Sequence, residues 1–524
     1  MVAAAREASF TLRRCMRPPV RLLALLACLL AVGGSVAAFA GCGDDESGGA
    51  LDGSLGYLPK DTPFALAVNT DVDGDQYQAL NAIFKKFPFG DAIKEFILRS
   101  LAKQTTGVDF EKDVVPLLGN PFVVGASDPQ SFLSGDGDAG FIAAIEVSDT
   151  DKLKDVLEKS GATQKGEQSG ATIYDDSGTQ FAVDGSTVVF AGDREQLNQA
   201  LERHDGGDSL DEETFKSGLD EVGDDGIAQG YLNLDSLLSG SESARQALKV
   251  KWIDAVESIG LNAKVAEDAI TIDFRIKTNP DGLTDADLPI ASGDQSPPII
   301  DRDGEIGIGA RGLGQTVSFI ETVAQAVAPS DYGDYAAAKR QLEARLGVDV
   351  EKDLLDQLSG DISASISLDG DFGVRVEPKD PAAFEKTLEK IAPALPTLAD
   401  GLGLDDVALQ RPKGGEDFYA LAAANGTSIV FGVKNGVFVL TNDPGRADDL
   451  ALDEPTPVDG QQGAIVLKAD AAQLAEKLLE NLGDSLPIPE QLRPALVAPL
   501  GDLTGSLNAD TSGITGQLKL SFDK

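Results

Sequence analysis

Two copies of one stretch organise this chain: Gly107-Val108-Asp109-Phe110-Glu111-Lys112-Asp113-Val114-Val115 and, at an offset of 240, Gly347-Val348-Asp349-Val350-Glu351-Lys352-Asp353-Leu354-Leu355. A β-like run follows each copy, Phe122–Ala126 after the first and Ile362–Ser367 after the second. A repeat at this separation indicates that one structural unit is built more than once along the chain.

Three further matches keep the same order. They pair Ile145-Glu146-Val147 with Val376-Glu377-Pro378, Phe181-Ala182-Val183 with Phe431-Gly432-Val433, and Leu261-Asn262-Ala263 with Leu507-Asn508-Ala509. Their offsets are 231, 250 and 246, a drift that loop insertions and deletions would cause. The sequence therefore predicts an internal duplication, with copy 1 at residues 57–278 and copy 2 at residues 300–524.

The other ranges are predicted to be connections and a leader. Residues 279–299 are rich in Pro, Gly and Asp and have no periodicity, which is typical of a linker. Residues 42–56 are acidic and Gly-rich, and we predict a tether that lifts copy 1 off a membrane. Residues 1–41 are predicted to be a signal peptide.

Helices are predicted from apolar spacing. The predicted helical stripes are Tyr77, Leu80, Ile83, Phe84 and Phe87; Ile93, Phe96, Ile97 and Leu101; and Leu248, Trp252, Val256 and Ile259. Gly260, directly after the third stripe, is predicted to be a helix C-cap. A strand at Phe141–Val147 is expected to lead into a helix at Leu153–Lys159.

Hairpins and alternating strands complete the prediction. Asp184-Gly185-Ser186 and Asn435-Gly436 are each flanked by strand-like runs, which is the pattern of a β-hairpin. The segments Ala269–Lys277 and Ile514–Ser521 alternate apolar and polar residues, as half-exposed antiparallel strands do. We predict an α+β fold: two tandem copies of an antiparallel sheet with helices packed on one face.

The amino terminus has the features of an export signal. Five arginines precede the uncharged apolar run Leu22–Ala40, and Gly41-Cys42 follows. Phe39-Ala40-Gly41-Cys42 is similar to a lipobox, so Cys42 is predicted to carry a lipid that anchors the protein to the bacterial cell membrane. Two alternatives stay open: an uncleaved membrane-spanning helix at Leu22–Ala40, and cleavage to a soluble protein. All three place the rest of the chain outside the cytoplasm.

Charge excludes one class of partner. The chain has a net charge of −42, and the leader contributes +4, so the part from Cys42 onward carries −46. Such a field repels nucleic acid phosphates, so nucleic-acid binding is not expected. The cysteines are Cys15, Cys28 and Cys42, and the first two lie in the leader, so no disulfide framework is predicted for the mature chain.

No catalytic, cofactor or metal site is predicted. His204, the only histidine, is expected at a helix end in a capping or surface role, and Trp252 is expected in the core. Asp71-Val72-Asp73-Gly74-Asp75 departs from a calcium loop, and a turn in which Asp75 caps a helix explains it better. Asp136-Gly137-Asp138 and Asp369-Gly370-Asp371 are predicted to be equivalent turns.

The opening of copy 1, Tyr57-Leu58-Pro59-Lys60-Asp61-Thr62-Pro63, resembles that of a family of exported bacterial proteins known as domain of unknown function 3352 (DUF3352). Gly107-Val108-Asp109-Phe110 and Pro116-Leu117-Leu118-Gly119 also match its pattern. Copy 2 departs from it, with Glu305–Ala310 at the start and Leu358-Ser359-Gly360 at the turn. The resemblance implies a cell-envelope location and brings no activity or catalytic residue.

These observations favour a non-enzymatic binding or scaffold module of the envelope. Its expected contacts are the membrane, through the anchor on Cys42, and an envelope protein or an apolar ligand. One alternative is a carrier that holds a lipid-like ligand between sheet and helices. Another is a hydrolase that depends on carboxylates or a divalent cation, which predicts acidic residues converging in one copy only.

Overall fold

The computed structural model describes residues 48–90, 108–127, 140–176, 178–239, 242–397, 407–410, 417–423, 426, 428–482 and 493–523. The chain divides into two compact units. Unit 1 takes in residues up to 242 and 256–277, and unit 2 takes in 243–255 and 278–523. Residues 243–255, which the sequence comparison assigns to copy 1, therefore belong to unit 2. The predicted helix over 93–101, the leader and Cys42 lie outside the described residues.

The described part of unit 1 is an antiparallel sheet with helices. Its strands are β1 (Phe64–Val68), β2 (Phe122–Ala126), β3 (Phe141–Glu146), β4 (Thr163–Gln168), β5 (Ala171–Asp176), β6 (Thr179–Asp184), β7 (Thr187–Ala191), β8 (Ala228–Asn233), β9 (Val256–Ala266) and β10 (Ala269–Thr278). Its helices are α1 (Gly48–Leu55), α2 (Asp75–Lys86), α3 (Thr150–Ser160), α4 (Arg194–Gly206), α5 (Glu212–Gly218) and α6 (Leu234–Ser239). The strand order is β4-β5-β6-β7-β3-β2-β1-β8-β9-β10.

The described part of unit 2 has the same architecture. Its strands are β11 (Glu305–Ala310), β12 (Ile362–Ser367), β13 (Phe372–Val376), β14 (Ala408–Gln410), β15 (Phe418–Ala422), β16 (Ser428–Lys434), β17 (Val437–Thr441), β18 (Ile465–Asp470), β19 (Leu500–Asp510) and β20 (Gly513–Phe522). Its helices are α7 (Glu242–Ala247), α8 (Lys251–Asp254), α9 (Leu313–Val327), α10 (Pro329–Leu346), α11 (Pro381–Ile391), α12 (Ala447–Leu452), α13 (Ala471–Leu482) and α14 (Arg493–Val497). The strand order is β14-β15-β16-β17-β13-β12-β11-β18-β19-β20.

Adding ten to each strand number of unit 1 gives the order of unit 2. The predicted α+β class with antiparallel sheet is confirmed. The shared order is a fact about the two folds, whereas duplication, a statement about descent, stays a prediction. Ring pairs repeat as well: Tyr174 stacks on Phe181 at 5.6 Å and Tyr419 on Phe431 at 5.4 Å.

Strand register agrees with three of the four sequence offsets and corrects the fourth. Ile145 lies opposite Phe122, and Val376 lies opposite Ile362, as offsets of 231 and 240 require. In the last hairpins, however, β10 begins at Ala269 and β20 at Gly513, an offset of 244 rather than 246. The Leu-Asn-Ala match is therefore two residues out of register. Side chains alternate with a period of two along a strand, so a shift of two keeps each on its face and hides the error.

Helices cover both faces of the unit 1 sheet, so the prediction of one covered face is wrong. On one face, strand residues such as Ala65 and Val189 pack with Leu55 of α1 and Leu201 of α4. On the other face, Phe122, Ile145 and Phe190 pack with Leu153 of α3.

Unit 2 repeats this arrangement, since Val439 packs with Leu450 of α12 and Phe431 packs with Phe384 of α11. The continuous buried run Ile142–Ile145 of β3 is the pattern that a sheet covered on both sides produces. The alternating strands β10 and β20, each last in its unit's order, suggested the single covered face.

Two other expectations are corrected. The predicted tether is helical from residue 48, where α1 buries Leu51 and Leu55 in the core of unit 1. The predicted helix through Trp252 is confined to α8, because Val256 already begins β9. There Gly260 lies opposite Tyr231 of β8, so cross-strand pairing overrides the helical spacing of the apolar residues.

Several predicted elements are confirmed. Helices α2 and α3 and strand β3 lie where apolar spacing placed them. The hairpin tip Asn435-Gly436 has φ values of 53° and 83°, the left-handed pair that an Asn-Gly turn supplies. Within the described ranges, none of the helices has the length and hydropathy needed to cross a bilayer.

Candidate functional site

His204 lies in the last turn of α4, as predicted for a helix end. Asp193 caps the start of this helix by accepting a hydrogen bond from the Gln196 amide at 2.9 Å. Gly207 ends it in the left-handed conformation, with φ of 74°. A histidine in this turn is close to the helix carbonyls that favour positive charge.

Tyr57 and Asp184 meet His204 in unit 1. The Tyr57 and His204 rings stack with centroids 4.2 Å apart and planes 6° apart. The Tyr57 hydroxyl donates to Asp184 Oδ2 at 2.9 Å, and His204 Nδ1 lies 3.8 Å from the same oxygen. Arg203 Nη1 donates to the Tyr57 carbonyl oxygen at 2.8 Å. We call Tyr57, Asp184 and His204 the Tyr57–Asp184–His204 cluster.

The electrostatics of this cluster keep Tyr57 neutral. Burial, followed by the Asp184 charge and the hydrogen bond to it, raises the pKa of the Tyr57 hydroxyl far above its ordinary value. A phenol in this state is not activated as a nucleophile or a base, because activation requires a lowered pKa. The cluster therefore ties the segment after α1 to α4 and to the β6–β7 hairpin.

The cluster belongs to unit 1 alone. The β6 and β16 register places Lys434 of unit 2 where unit 1 has Asp184. Lys434 instead forms an ion pair with Asp448. Sequence reasoning placed His204 at a helix end but could not foresee Tyr57 or Asp184 beside it, since the Tyr57–Asp184 bond joins residues 127 positions apart.

Unit 2 has a buried ion pair that the sequence gave no sign of. Arg446 Nη2 donates to Glu305 Oε2 at 2.8 Å and to Ser365 Oγ at 2.9 Å. The side chains of Arg446 and Glu305 are only 10% and 15% exposed. At the position of Arg446, unit 1 carries Gln196, whose side chain accepts a hydrogen bond from the Gly140 amide. The pair therefore distinguishes the two units.

The remaining residues singled out from the sequence have structural roles. Trp252 is buried and meets Phe319 edge to face at 5.9 Å, which confirms the predicted core position. Asp71 Oδ1 accepts from the Asp73 amide at 3.1 Å within a turn. Helix α2 starts at Asp75 with Gly74 as N-cap, so the predicted capping by Asp75 is wrong.

One of the two predicted Asp-Gly-Asp turns lies within the described residues. Gly370, with φ of 94°, forms the predicted turn between Asp369 and Asp371. Its predicted equivalent, Asp136–Asp138, and the predicted lipid attachment residue Cys42 lie outside the described residues. In the part of the chain that the structure describes, no three His, Cys, Asp or Glu residues are grouped so that they could hold a metal ion.

Comparison with known proteins gives one family and a group of weakly similar structures that includes three crystal forms of TP0453. The family described as "Protein of unknown function (DUF3352)" matches residues 22–395. No curated protein matches the chain. Crystal forms III, IV and I of TP0453 are similar at 10%, 11% and 11% identity. They cover 44%, 43% and 44% of this chain and 82%, 80% and 80% of TP0453, each with a TM-score of 0.24.

Proposed function

The chain belongs to the DUF3352 family, and we propose that it is an exported lipoprotein, held at the outer side of the bacterial cell membrane by a lipid on Cys42. In this proposal it acts without enzymatic activity, as a binding or scaffold module of the cell envelope. The leader residues support export, and the position of α1 supports an anchor attached closely to the folded chain.

The leader pattern that ends at Cys42 carries the proposal, and the start of α1 limits how far a lipid there could stand from the folded chain. Helix α1 begins at Gly48, six residues after Cys42. A chain spans at most about 3.6 Å per residue, so this connection can span no more than roughly 20 Å. The predicted tether over 42–56 would have reached about 50 Å by the same measure. A lipid on Cys42 would therefore hold unit 1 close to the bilayer.

Unit 1 is well built to take such an anchor. Leu51 and Leu55 of α1 are 3% and 0% exposed in its core. Directly after α1, Tyr57 bonds to Asp184 and its carbonyl oxygen accepts from Arg203. A pull on the anchor would thus act on packed and hydrogen-bonded residues and not on a loose strand.

The packing favours a scaffold over an apolar carrier. Small strand residues, including Ala65, Ala67, Ala144 and Ala182, are 0–1% exposed against the α1 and α4 side of the sheet. Gly125 is so close to Leu58 that an added Cβ would lie 2.6 Å from a Leu58 methyl group. Side chains of the described helices fill this space, as a core does.

The hydrolase alternative has weaker support. It requires a carboxylate free to act as an acid or base, whereas Asp184 accepts from the Tyr57 hydroxyl and lies beside His204. The charge of −46 on the mature chain favours partners with basic surfaces. A basic envelope protein is therefore the partner class that we propose.

Metabolic labelling tests the anchor. Wild-type protein, Cys42→Ser and the leader variant Cys28→Ser are expressed with an alkyne-tagged fatty acid in a lipoprotein-processing bacterium. We expect label and membrane association for wild type and Cys28→Ser, and neither for Cys42→Ser. Membrane association of Cys42→Ser without label would indicate an uncleaved helix at Leu22–Ala40, and equal label on all three would overturn the proposal.

Native mass spectrometry tests whether the protein carries a bound apolar ligand. The chain from residue 42 onward, carrying Cys42→Ser and purified without detergent, should show the mass of the protein alone. A stoichiometric apolar ligand in the spectrum and in a lipid extract would favour the carrier instead.

A further inference from the structure

Three basic side chains lie along one face of the β9–β10 hairpin in unit 1. Arg275 and Lys277 are two residues apart on β10, so they point to the same face, and Lys264 lies on β9. Arg275 is 4% exposed, which is rare for a guanidinium group. We call these residues the basic patch.

An acidic loop between α5 and β8 covers the basic patch. Asp220 lies 3.4 Å from Lys277 Nζ, Asp225 lies 2.9 Å from Lys264 Nζ, and Glu221 pairs with Arg275. A fourth carboxylate, Asp224, lies 3.7 Å from Lys216 of α5. Another acid, Asp273, lies 3.8 Å from Lys264 on the sheet itself. We call residues 220–226 the latch loop.

The carboxylates at the rim of the loop are held by weak contacts, whereas its centre is held by Val222, which is 5% exposed in the core of unit 1. The four carboxylate side chains of the loop are 59–73% exposed, so each ion pair is screened by solvent and salt. Glu221 has φ of 73°, a left-handed conformation that is unfavourable for a residue with a Cβ. The position of the loop carboxylates therefore depends on electrostatics, while Val222 keeps the centre of the loop on the core.

Two buried residues under the loop, Gln229 and Asn262, have polar atoms without a hydrogen-bond partner among the described residues. The side-chain amides of Gln229 and Asn262 donate to the carbonyl oxygens of Asp224 and Val222, and both residues are at most 1% exposed. Their own amide oxygens have no hydrogen-bond partner among the described residues. Gly226 packs so closely that an added Cβ would lie 1.8 Å from Asn262 Oδ1. Lifting the loop would let water reach these oxygens and would relieve the backbone strain at Glu221.

Unit 2 lacks this arrangement. The offset of 244 places Asn508, Lys519 and Ser521 where unit 1 has Lys264, Arg275 and Lys277. Asn508 Oδ1 accepts a hydrogen bond from the Gly293 amide at 2.9 Å. The combination of a basic patch and an acidic cover is therefore specific to unit 1.

We propose that the latch loop is a lid that opens to expose an oxyanion-binding site formed by Lys264, Arg275 and Lys277. The loop carboxylates occupy this site in the closed state, so a ligand with the same chemistry, a carboxylate or phosphate group, competes with them. The amides of Asn262 and Gln229 supply further donors once their loop partners leave. This site does not depend on the lipid anchor.

Hydrogen exchange of the loop amides, with inorganic phosphate as the probe, tests the lid and the site together. Exchange is measured in sodium chloride and in sodium phosphate at equal ionic strength. We expect exchange over 220–226 to rise several-fold with sodium chloride, and to rise further in phosphate. Phosphate generally strengthens burial, so the additional rise would indicate binding and not a solvent effect.

Variants separate the parts of the proposal. Arg275→Gln should keep the chloride effect and lose the additional phosphate effect. Glu221→Gly removes the strain and the carboxylate that pairs with Arg275, and it leaves the three residues of the basic patch in place. It should therefore raise exchange and strengthen phosphate binding several-fold. Asp151→Asn, which removes an exposed ion pair with Lys154, is the control and should change neither. Equal exchange in the two salts would overturn the oxyanion site, and exchange independent of salt would overturn the lid.

Discussion

The ring of Tyr57 lies parallel to the ring of His204, with 4.2 Å between their centroids. Tyr57 lies two residues after the end of α1, and His204 lies in the last turn of α4, so the stacked rings join two segments that are far apart in sequence. The Tyr57 hydroxyl adds a bond to Asp184 at the end of β6. This contact fastens the amino-terminal part of unit 1 to its sheet.

Replacing Tyr57 by Phe should weaken unit 1. The change removes the donor to the Asp184 carboxylate, and a hydrogen bond to a charged group contributes about 1.5–3 kcal/mol. We expect the free energy of unfolding, measured by urea denaturation, to fall by that amount. Tyr335→Phe is the control, because its hydroxyl bonds Glu321 on an exposed surface, and it should change stability by less than about 0.5 kcal/mol. Equal effects of the two variants would show that the Tyr57 contact adds nothing.

Replacing Gly260 and Gly53 by alanine should change the stability of the protein in opposite directions. A Cβ on Gly260 would lie 2.1 Å from the Gly218 carbonyl oxygen, so Gly260→Ala should destabilise the protein by about 1–3 kcal/mol or more. Gly53 lies inside α1, and a Cβ there would meet no atom within 4 Å. Gly53→Ala should stabilise by about 0.5–1 kcal/mol. Thermal unfolding followed by circular dichroism measures both, and a stable Gly260→Ala protein would contradict the close packing of β9 on α5.

Removing one partner of the Arg446–Glu305 pair should destabilise the protein strongly, whereas replacing both partners by apolar residues should destabilise it little. Arg446→Met leaves a mostly buried carboxylate without its cation, and we expect a loss of about 3–5 kcal/mol. The double variant Arg446→Met with Glu305→Met should recover most of this loss, because both charges then leave the interior. A double-mutant cycle by urea denaturation measures the coupling. Additive losses in the double variant would argue against a buried pair.

Tyr77 should make stability fall at alkaline pH. Burial, and then the charge of Asp71, raises the pKa of Tyr77 to about 12. The folded state holds the hydroxyl proton more tightly than the unfolded state, so this contribution is complete below pH 10. It is lost as the pH rises from 10 to 12, by about 2–3 kcal/mol. Urea midpoints at pH 9 and pH 11.5 should therefore differ less in Tyr77→Phe than in the wild type. An unchanged difference would mean that Tyr77 does not titrate in this way.

Local patterns predicted much of the secondary structure. The hairpin at Asn435-Gly436 depends on two adjacent residues that tolerate positive φ, and helix α3 depends on a cap at Asp149 and on apolar spacing. Both signals lie within a few positions along the chain. The prediction was wrong where one pattern was compatible with two structures. The stripe Leu248 to Ile259 fitted a helix, but its last part, from Val256 onward, is a strand that pairs with β8.

The candidate site was only partly predictable. His204 could be placed at a helix end because its surroundings in sequence contain a helix stop. Its partners Tyr57 and Asp184 could not be predicted from the sequence, since only the folded sheet brings them together. The basic patch and its acidic cover were missed for the same reason, because Glu221 and Arg275 come from different elements.

The amino-acid sequence alone determined the α+β class, the hairpins, helices α2 and α3, and the matching order of motifs in the two halves, because these depend on neighbouring residues. Tertiary structure alone decided that helices cover both faces, that β9 and β19 align at 244, and that Gly260 packs on α5. It also decided which charges are buried. These features depend on contacts between distant segments, whose free energy arises only when the whole sheet has formed.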